Sequence, residues 1–123
     1  MTLPRALVPA LGVVVALALG IAACGSAAQR DGGEPVATST VDMPASYRFA
    51  PAAISIPVGT TVTWTNSDNF THSIQFLDGG LPTEPMLVQP SAVTTFTFAT
   101  AGTYRYQCHL HPQQMQGTVT VTP

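Results

Sequence analysis

The sequence predicts an all-β domain, a sandwich or barrel built from short strands. From residue 53 to residue 121, short stretches alternate apolar and polar side chains, and no stretch has the period of a helix. Gly, Pro, Asn and Asp residues separate these stretches at regular intervals. Thr, Val, Pro and Gly are abundant in the second half of the chain, whereas strong helix formers are sparse. Regularly spaced short strands of this kind are typical of a β-sandwich.

The first three predicted strands alternate most clearly. Residues 53–56 place two isoleucines on one face, and residues 60–65 place Val62 and Trp64 on one face. Residues 71–77 form a third predicted strand, in which His72 lies in phase with the apolar side chains. A histidine in this phase faces the interior, where it is either a core residue or a ligand.

The second half of the predicted domain adds three more strands. Residues 81–89 contain two prolines and are predicted to be an irregular loop. Further strands are predicted at residues 92–99, 103–108 and 117–121. Because a domain of this size has a thin core, a few large side chains must supply much of it. These are Ile56, Trp64, Phe96, Phe98 and Tyr104.

The N-terminal segment has the features of an export signal. Arg5 precedes a nearly continuous apolar run over residues 6–23, which ends in small residues. The tetrapeptide IAAC at 21–24 resembles the lipobox of bacterial lipoproteins, which implies a signal peptide over residues 1–23 and lipidation of Cys24. The alternative is an uncleaved membrane anchor, since the run approaches the ~18 residues that qualify as a span. Either reading predicts an extracytoplasmic protein attached to the membrane surface.

Residues 24–45 are predicted to be a flexible tether, and residues 46–123 the folded domain. The tether is rich in Gly, Ala, Ser and Thr and has few large apolar side chains. Such a segment buries too little surface to offset the entropy lost on ordering.

Charge and composition exclude several classes of partner. Charged residues make up 8% of the chain, Lys is absent, and the four Arg residues are dispersed. Nucleic-acid binding needs a basic stripe, so we expect no nucleic-acid partner. The net charge is mildly negative, which predicts no strong electrostatic steering of a partner towards the protein. We expect a monomer whose redox partners the sequence does not specify.

The two cysteines have different predicted roles. If Cys24 carries lipid, Cys108 has no partner for a disulfide. A lone thiol in an oxidising compartment is vulnerable unless a metal ion holds it as the thiolate. The cysteine count therefore favours a metal site at Cys108.

A soft donor set surrounds Cys108. Cys108, His111 and Met115 lie within eight residues near the C-terminus. Two imidazoles, a thiolate and a distant thioether form the copper site of single-electron carriers. The second imidazole must come from elsewhere, and His72 is the candidate outside this loop. On an extended backbone the side chain of His109, next to Cys108, should point away from the cysteine and lie at the surface. The alternative is that His109 supplies an additional metal contact.

Two segments carry a family resemblance. VTWTNSDNFTHSI at 62–74 and GTYRYQCHLHPQQMQGTVTV at 102–121 resemble the cupredoxins, small blue copper proteins of the plastocyanin–amicyanin type. The resemblance implies a Greek-key β-sandwich or barrel of about seven to eight strands. It also implies one type 1 copper ion, with His72, Cys108 and His111 as equatorial ligands and Met115 as the axial ligand. The spacing between His111 and Met115 differs by one residue from amicyanin-like and from plastocyanin-like loops.

Two polar residues are predicted to tune this site. Asn66 lies in the polar turn before His72, and Ser73 directly follows His72. We expect both side chains to hydrogen-bond across to the cysteine loop. Hydrogen bonds to ligand sulfur and imidazole groups adjust the properties of a metal centre.

The predicted function is electron transfer by a membrane-tethered copper protein that is not an enzyme. A multicopper oxidase would need more than the three His of this chain, and a binuclear copper–thiolate centre would need a second Cys in the loop. The alternative is a copper delivery or buffering lipoprotein that uses the same donors, which His109 slightly favours. A structural zinc site is the weakest candidate, since Met is not among the usual protein ligands of zinc.

Overall fold

The computed structural model describes residues 33–123, which form nine β-strands in two sheets. The strands are β1 (Val36–Ala37), β2 (Thr40–Met43), β3 (Ala53–Pro57), β4 (Thr61–Asn66), β5 (His72–Phe76), β6 (Met86–Val88), β7 (Val93–Thr97), β8 (Gly102–Gln107) and β9 (Gln116–Thr122). One sheet has the order β1-β3-β9-β8-β5-β6, and the other has the order β2-β4-β7. The predicted all-β fold is therefore confirmed. Within residues 33–123 there is no helix of the length and apolarity needed to cross a membrane.

The pairing of β8 with its neighbours positions the cysteine loop. β8 and β9 pair antiparallel until Gln107 lies opposite Gln116, which leaves residues 108–115 as the connecting loop. β5 also pairs antiparallel with β8, with Gln75 opposite Gln107. Because the two strands run in opposite directions, the start of β5, at His72, lies beside the end of β8.

The two sheets enclose a core of alternating apolar side chains. Trp64 on β4 and Tyr106 on β8 are fully buried, and their ring centroids lie 5.5 Å apart. Ile56 and Phe98 are also buried, as predicted. Phe96 and Tyr104 were also predicted to supply the core, but they are only partly buried and pack against it.

The predicted tether over residues 24–45 is wrong in its second half. Residues 36–43 contain β1 and β2, which pair parallel with β3 and β4. Val41 and Met43 alternate inward and are buried. This segment is ordered by partners distant in sequence, which its own composition does not reveal, so the folded domain begins well before residue 46.

The predicted loop over residues 81–89 is also wrong in part. Its last residues form β6, which pairs antiparallel with β5 and places His72 opposite Val88. Val88 is buried, and both prolines lie outside the short strand. Pro82 and Pro85 therefore restrict only the approach to β6, where no ladder hydrogen bond is required.

Asp78 connects the end of β5 to β8 through Arg105. Its carboxylate accepts a hydrogen bond from the backbone N–H of Arg105 and lies 3.0 Å from Arg105 Nη2. These hydrogen bonds from Arg105 lower the pKa of Asp78, and partial desolvation opposes them. The ionised carboxylate is therefore favoured in the folded state.

Replacing Asp78 with Asn is expected to lower the stability of the domain at neutral pH. Because the folded-state pKa of Asp78 lies below its unfolded value, the carboxylate stabilises the fold above the ordinary aspartate pKa of about 3.9. That contribution is lost as the pH falls through the folded-state pKa. Urea unfolding at decreasing pH should show the difference between D78N and wild type shrinking, while E84Q, at an exposed carboxylate, serves as the control. A difference that stays constant down to acidic pH would contradict the assignment.

Candidate metal centre

Three side-chain donors converge where β5 meets the loop after β8. Cys108 Sγ lies 3.9 Å from His72 Nδ1 and 3.8 Å from His111 Nδ1. The three donor atoms lie within 4.8 Å of one another. His72 and Cys108 are fully buried, whereas His111 is half-buried. Among residues 33–123, this is the one such grouping of His, Cys and acidic side chains.

Backbone hydrogen bonds fold the cysteine loop into a compact turn. The N–H of Cys108 donates to Met115 O at 3.0 Å, which closes the base of the loop. The N–H of His111 donates to Cys108 O at 3.1 Å, and the N–H of Met115 donates to His111 O at 2.9 Å. These hydrogen bonds turn the chain sharply, so that the side chain of His111 lies beside that of Cys108, three residues earlier.

Met115 lies at the end of the same loop. Its side chain is fully buried in the cluster that contains Cys108. The backbone bonds to Cys108 and His111 fix its position relative to two of the three donors. Its role as the axial ligand stays a prediction.

A buried carboxylate contacts the outer nitrogen of His72. Asp68 Oδ2 lies 2.9 Å from His72 Nε2. This hydrogen bond is the main cause of the lowered pKa of Asp68, assisted by the N–H of Asn69 and opposed by desolvation. Sequence reasoning missed Asp68, although an acidic residue four positions before a predicted ligand was a signal that could have found it.

Ser73 lies against the cysteine, as predicted. Its Oγ is 3.7 Å from Cys108 Sγ. It also accepts a hydrogen bond from the backbone N–H of His109 at 3.0 Å and lies 2.7 Å from His109 Nδ1. Ser73 therefore connects β5 to both residues at the start of the cysteine loop.

The prediction that Asn66 hydrogen-bonds to the cysteine loop is wrong. Its side-chain amide donates to Phe70 O at 2.8 Å and to Val88 O at 2.9 Å. Its Oδ1 accepts a hydrogen bond from the N–H of Asp68. The side chain of Asn66 therefore bonds to its own turn and to β6, not to the cysteine loop. Asn66 reaches the site only through Asp68.

His109 does not join the three donors. The side chain is half-buried, and its Nδ1 is engaged with Ser73 on β5. The predicted separation from the donor cluster therefore agrees with the geometry, but the ring lies against a neighbouring strand and is not a freely exposed surface group.

An aromatic side chain that the sequence did not point to packs against both imidazoles. The ring centroid of Tyr47 is 4.5 Å from that of His111 and 6.1 Å from that of His72. Phe70 stacks on Tyr47 at 6.1 Å. The backbone at Tyr47 is left-handed, with φ of 53°. This conformation is uncommon for a bulky residue, and here it accompanies packing against the site.

Comparison with known proteins agrees with the fold and with the donor cluster. The family described as "Cupredoxin-like domain" matches residues 13–121 of the chain. Plastocyanin from Scenedesmus fuscus is 37% identical over 83 residues, which cover 59% of this chain and 85% of that protein. Amicyanin from Paracoccus denitrificans is 36% identical over 81 residues, which cover 63% of this chain and 60% of that protein.

A solved structure gives the same result. A purple cupredoxin from Nitrosopumilus maritimus superposes with a TM-score of 0.61 and 32% sequence identity, covering 69% of this chain and all of that chain. A two-sheet β-fold with a His-Cys-His cluster at one end defines a metal-binding β-sandwich. The chain belongs to the cupredoxin-like family, and the family resemblance predicted from its two motifs is confirmed.

The chemistry of the donor set fits copper. One thiolate and two imidazoles suit copper in both of its common oxidation states, and a thioether is a soft donor that favours Cu(I). Zinc also accepts thiolate and imidazole, but a buried Met beside the cluster adds nothing to a zinc site.

Proposed function

We propose that this protein is a single-electron carrier with one type 1 copper ion held by His72, Cys108 and His111, with Met115 as the axial ligand. The observation that carries this proposal is the preformed cluster, in which three donors lie within 4.8 Å of one another. When bound, copper supplies the Cu(I)/Cu(II) couple. The family match and the likeness to plastocyanin and amicyanin support the same function.

The protein's own contribution is to hold these donors still. The loop is fixed by its internal backbone bonds and by the strands at both ends. Donors on a rigid scaffold rearrange little when the charge at the site changes, which favours fast electron transfer. The half-buried imidazole of His111 brings the site to the surface, beside the exposed side chains of Leu110 and Pro112.

The geometry favours retention of the metal over its delivery. A delivery protein needs an accessible site that opens easily, whereas His72 and Cys108 are fully buried. His109, which favoured delivery in the sequence, has its Nδ1 turned towards Ser73. The same donors therefore support a carrier better than an exchange site.

The visible spectrum of the copper-loaded protein tests this function. We expect Cu(II) to produce an intense thiolate-to-copper charge-transfer band that ascorbate bleaches and a mild oxidant restores. Tight but colourless Cu(I) binding would support delivery. Failure to bind either copper ion would contradict both functions.

We also propose that the carrier is exported and tethered to the outer face of the cytoplasmic membrane by lipid on Cys24. Cys24 and the predicted signal peptide over residues 1–23 lie outside the described residues, so this proposal rests on the sequence pattern. Expression in a bacterial host with a lipoprotein pathway tests it. The wild type should fractionate with membranes and C24S should lose the lipid mass, whereas an unlipidated wild-type protein would contradict the proposal.

Ser73 is predicted to adjust the reduction potential of the carrier. A hydroxyl near a thiolate stabilises its negative charge and weakens its donation to the metal, which favours the reduced state. S73A removes the oxygen that lies 3.7 Å from Cys108 Sγ, so we expect a lower reduction potential. Voltammetry of the copper-loaded variant measures this, and urea unfolding of the metal-free form separates it from a loss of stability. An unchanged potential and spectrum would show that Ser73 has no such role.

A further inference from the structure

Asp68 is a buried acid in a domain with few charged residues. It lies in the turn between β4 and β5 and is only 6% exposed. The site needs no carboxylate ligand, since sulfur and nitrogen donors complete it. A carboxylate is costly to bury unless it is hydrogen-bonded, so its partners indicate what it does.

The carboxylate of Asp68 has two nitrogen partners. Oδ2 lies 2.9 Å from His72 Nε2, and Oδ1 accepts a hydrogen bond from the backbone N–H of Asn69 at 2.7 Å. A carboxylate accepts hydrogen bonds and donates none. His72 Nε2 must therefore carry the hydrogen, which leaves Nδ1 of a neutral ring unprotonated. Nδ1 is the nitrogen that faces Cys108 Sγ.

The turn holds the carboxylate in place. The backbone N–H of Asp68 donates to Asn66 Oδ1 at 2.9 Å. The amide of Asn66 is anchored in turn on Phe70 O and Val88 O. This chain of hydrogen bonds runs from β6 through the turn to the imidazole, so the ring of His72 is fixed from its outer side.

We propose that Asp68 is a positioning residue for the metal centre: it selects the tautomer and ring orientation of His72 that present Nδ1 to Cys108 and His111. Its negative charge also stabilises the more positive oxidation state of a bound metal and lowers the reduction potential. The effect on the potential rests on the proposed function, whereas the effect on the tautomer does not.

Replacing Asp68 with Asn tests the proposal, because an Asn side chain has one acceptor where the site presents two donors. If the Asn oxygen keeps the bond to Asn69, its NH₂ group faces His72 Nε2 and favours the opposite tautomer. We expect ¹H–¹⁵N correlation spectra of the metal-free wild type to show His72 protonated at Nε2. In D68N we expect the Nδ1-protonated form to appear.

Metal binding gives a second readout. Loss of a group that hydrogen-bonds a metal-binding imidazole typically costs about 10–100-fold in affinity. We expect D68N to bind copper more weakly by about this factor and to have a higher reduction potential. D68E, which keeps a carboxylate, should restore the Nε2-protonated tautomer and most of the affinity.

Asp42 provides a matched control. Its carboxylate accepts a hydrogen bond from Ser67 Oγ, in the same β4–β5 turn as Asp68, but it has no hydrogen bond with either imidazole. D42N should leave both the tautomer and the affinity unchanged.

The outcomes separate this proposal from the proposed function. A wild-type His72 protonated at Nδ1, or a D68N protein that keeps the wild-type tautomer and affinity, would overturn the role of Asp68. The wild-type spectrum decides the matter even if D68N does not fold. A protein with the expected tautomer that binds no copper would instead refute the carrier function and leave the positioning of His72 intact.

Discussion

Replacing Cys108 with Ser is expected to abolish the visible band of the copper-loaded protein completely. The band depends on a copper–thiolate bond, and a serine hydroxyl is a poor ligand that stays protonated at neutral pH. Loss of a group that only orients a metal ligand typically lowers the affinity for the metal about 10–100-fold. We expect the loss of the cysteine ligand itself to lower copper affinity by more than this. Absorption spectra and copper titration measure both effects.

The fold of this variant should survive, because serine is nearly isosteric with cysteine. The other cysteine of the chain supplies the control: C24S removes the sulfur of a residue outside residues 33–123 and should retain the full band. A C108S protein that keeps the band, or a C24S protein that loses it, would show that Cys108 is not the thiolate ligand.

Replacing Gly117 with Ala is expected to give the largest loss of stability of any single-methyl change in the domain. An added Cβ would lie 2.5 Å from the hydroxyl oxygen of Tyr106 and 2.8 Å from Cε1, with Cζ also too close. Tyr106 is fully buried between the two sheets and cannot move away without displacing Trp64. Overpacking of this kind costs roughly 1–3 kcal/mol and can cost more.

Urea unfolding of the metal-free protein measures this loss. G79A is the matched control, because a Cβ at Gly79 meets nothing within 4 Å. In a Y106L background the clash partner is gone, so the cost of G117A should fall, which a double-mutant cycle would reveal as coupling. An equal cost in both backgrounds would contradict the clash.

The contact between Gly117 and Tyr106 also connects the core to the metal centre. Tyr106 is two residues before Cys108, and Gly117 is two residues after Met115. The two lie opposite each other in the β8–β9 ladder. A shift in this pair would therefore spread or twist the ends of the cysteine loop, so we expect stability and metal binding to be lost together.

Local patterns were enough to predict much of the domain. Alternation located β3, β4, β5, β7, β8 and β9, because the side-chain period of a strand is two and one face of a strand is more buried than the other. The donors on the cysteine loop could be predicted because Cys108, His111 and Met115 are close in sequence. His72 followed because few other His residues were available.

Contacts between distant residues could not be predicted in this way. β1 and β2 are ordered by parallel pairing with β3 and β4, and nothing in their own composition indicates those partners. The same reason explains the misassigned Asn66, whose amide pairs with a strand twenty-two residues away. Polar side chains choose partners by proximity in space, and a sequence pattern does not give that proximity.

The amino-acid sequence by itself determined the fold class and the chemical identity of the metal donors, because both follow from residue type and short-range spacing. Only the tertiary structure decided which groups surround those donors. The Asp68 carboxylate at His72, Ser73 at Cys108 and the Tyr47 ring against both imidazoles all come from elements joined by sheet pairing or loop packing. Hydrogen bonds and ring contacts act over a few ångströms, so these neighbours are set only when the chain has folded.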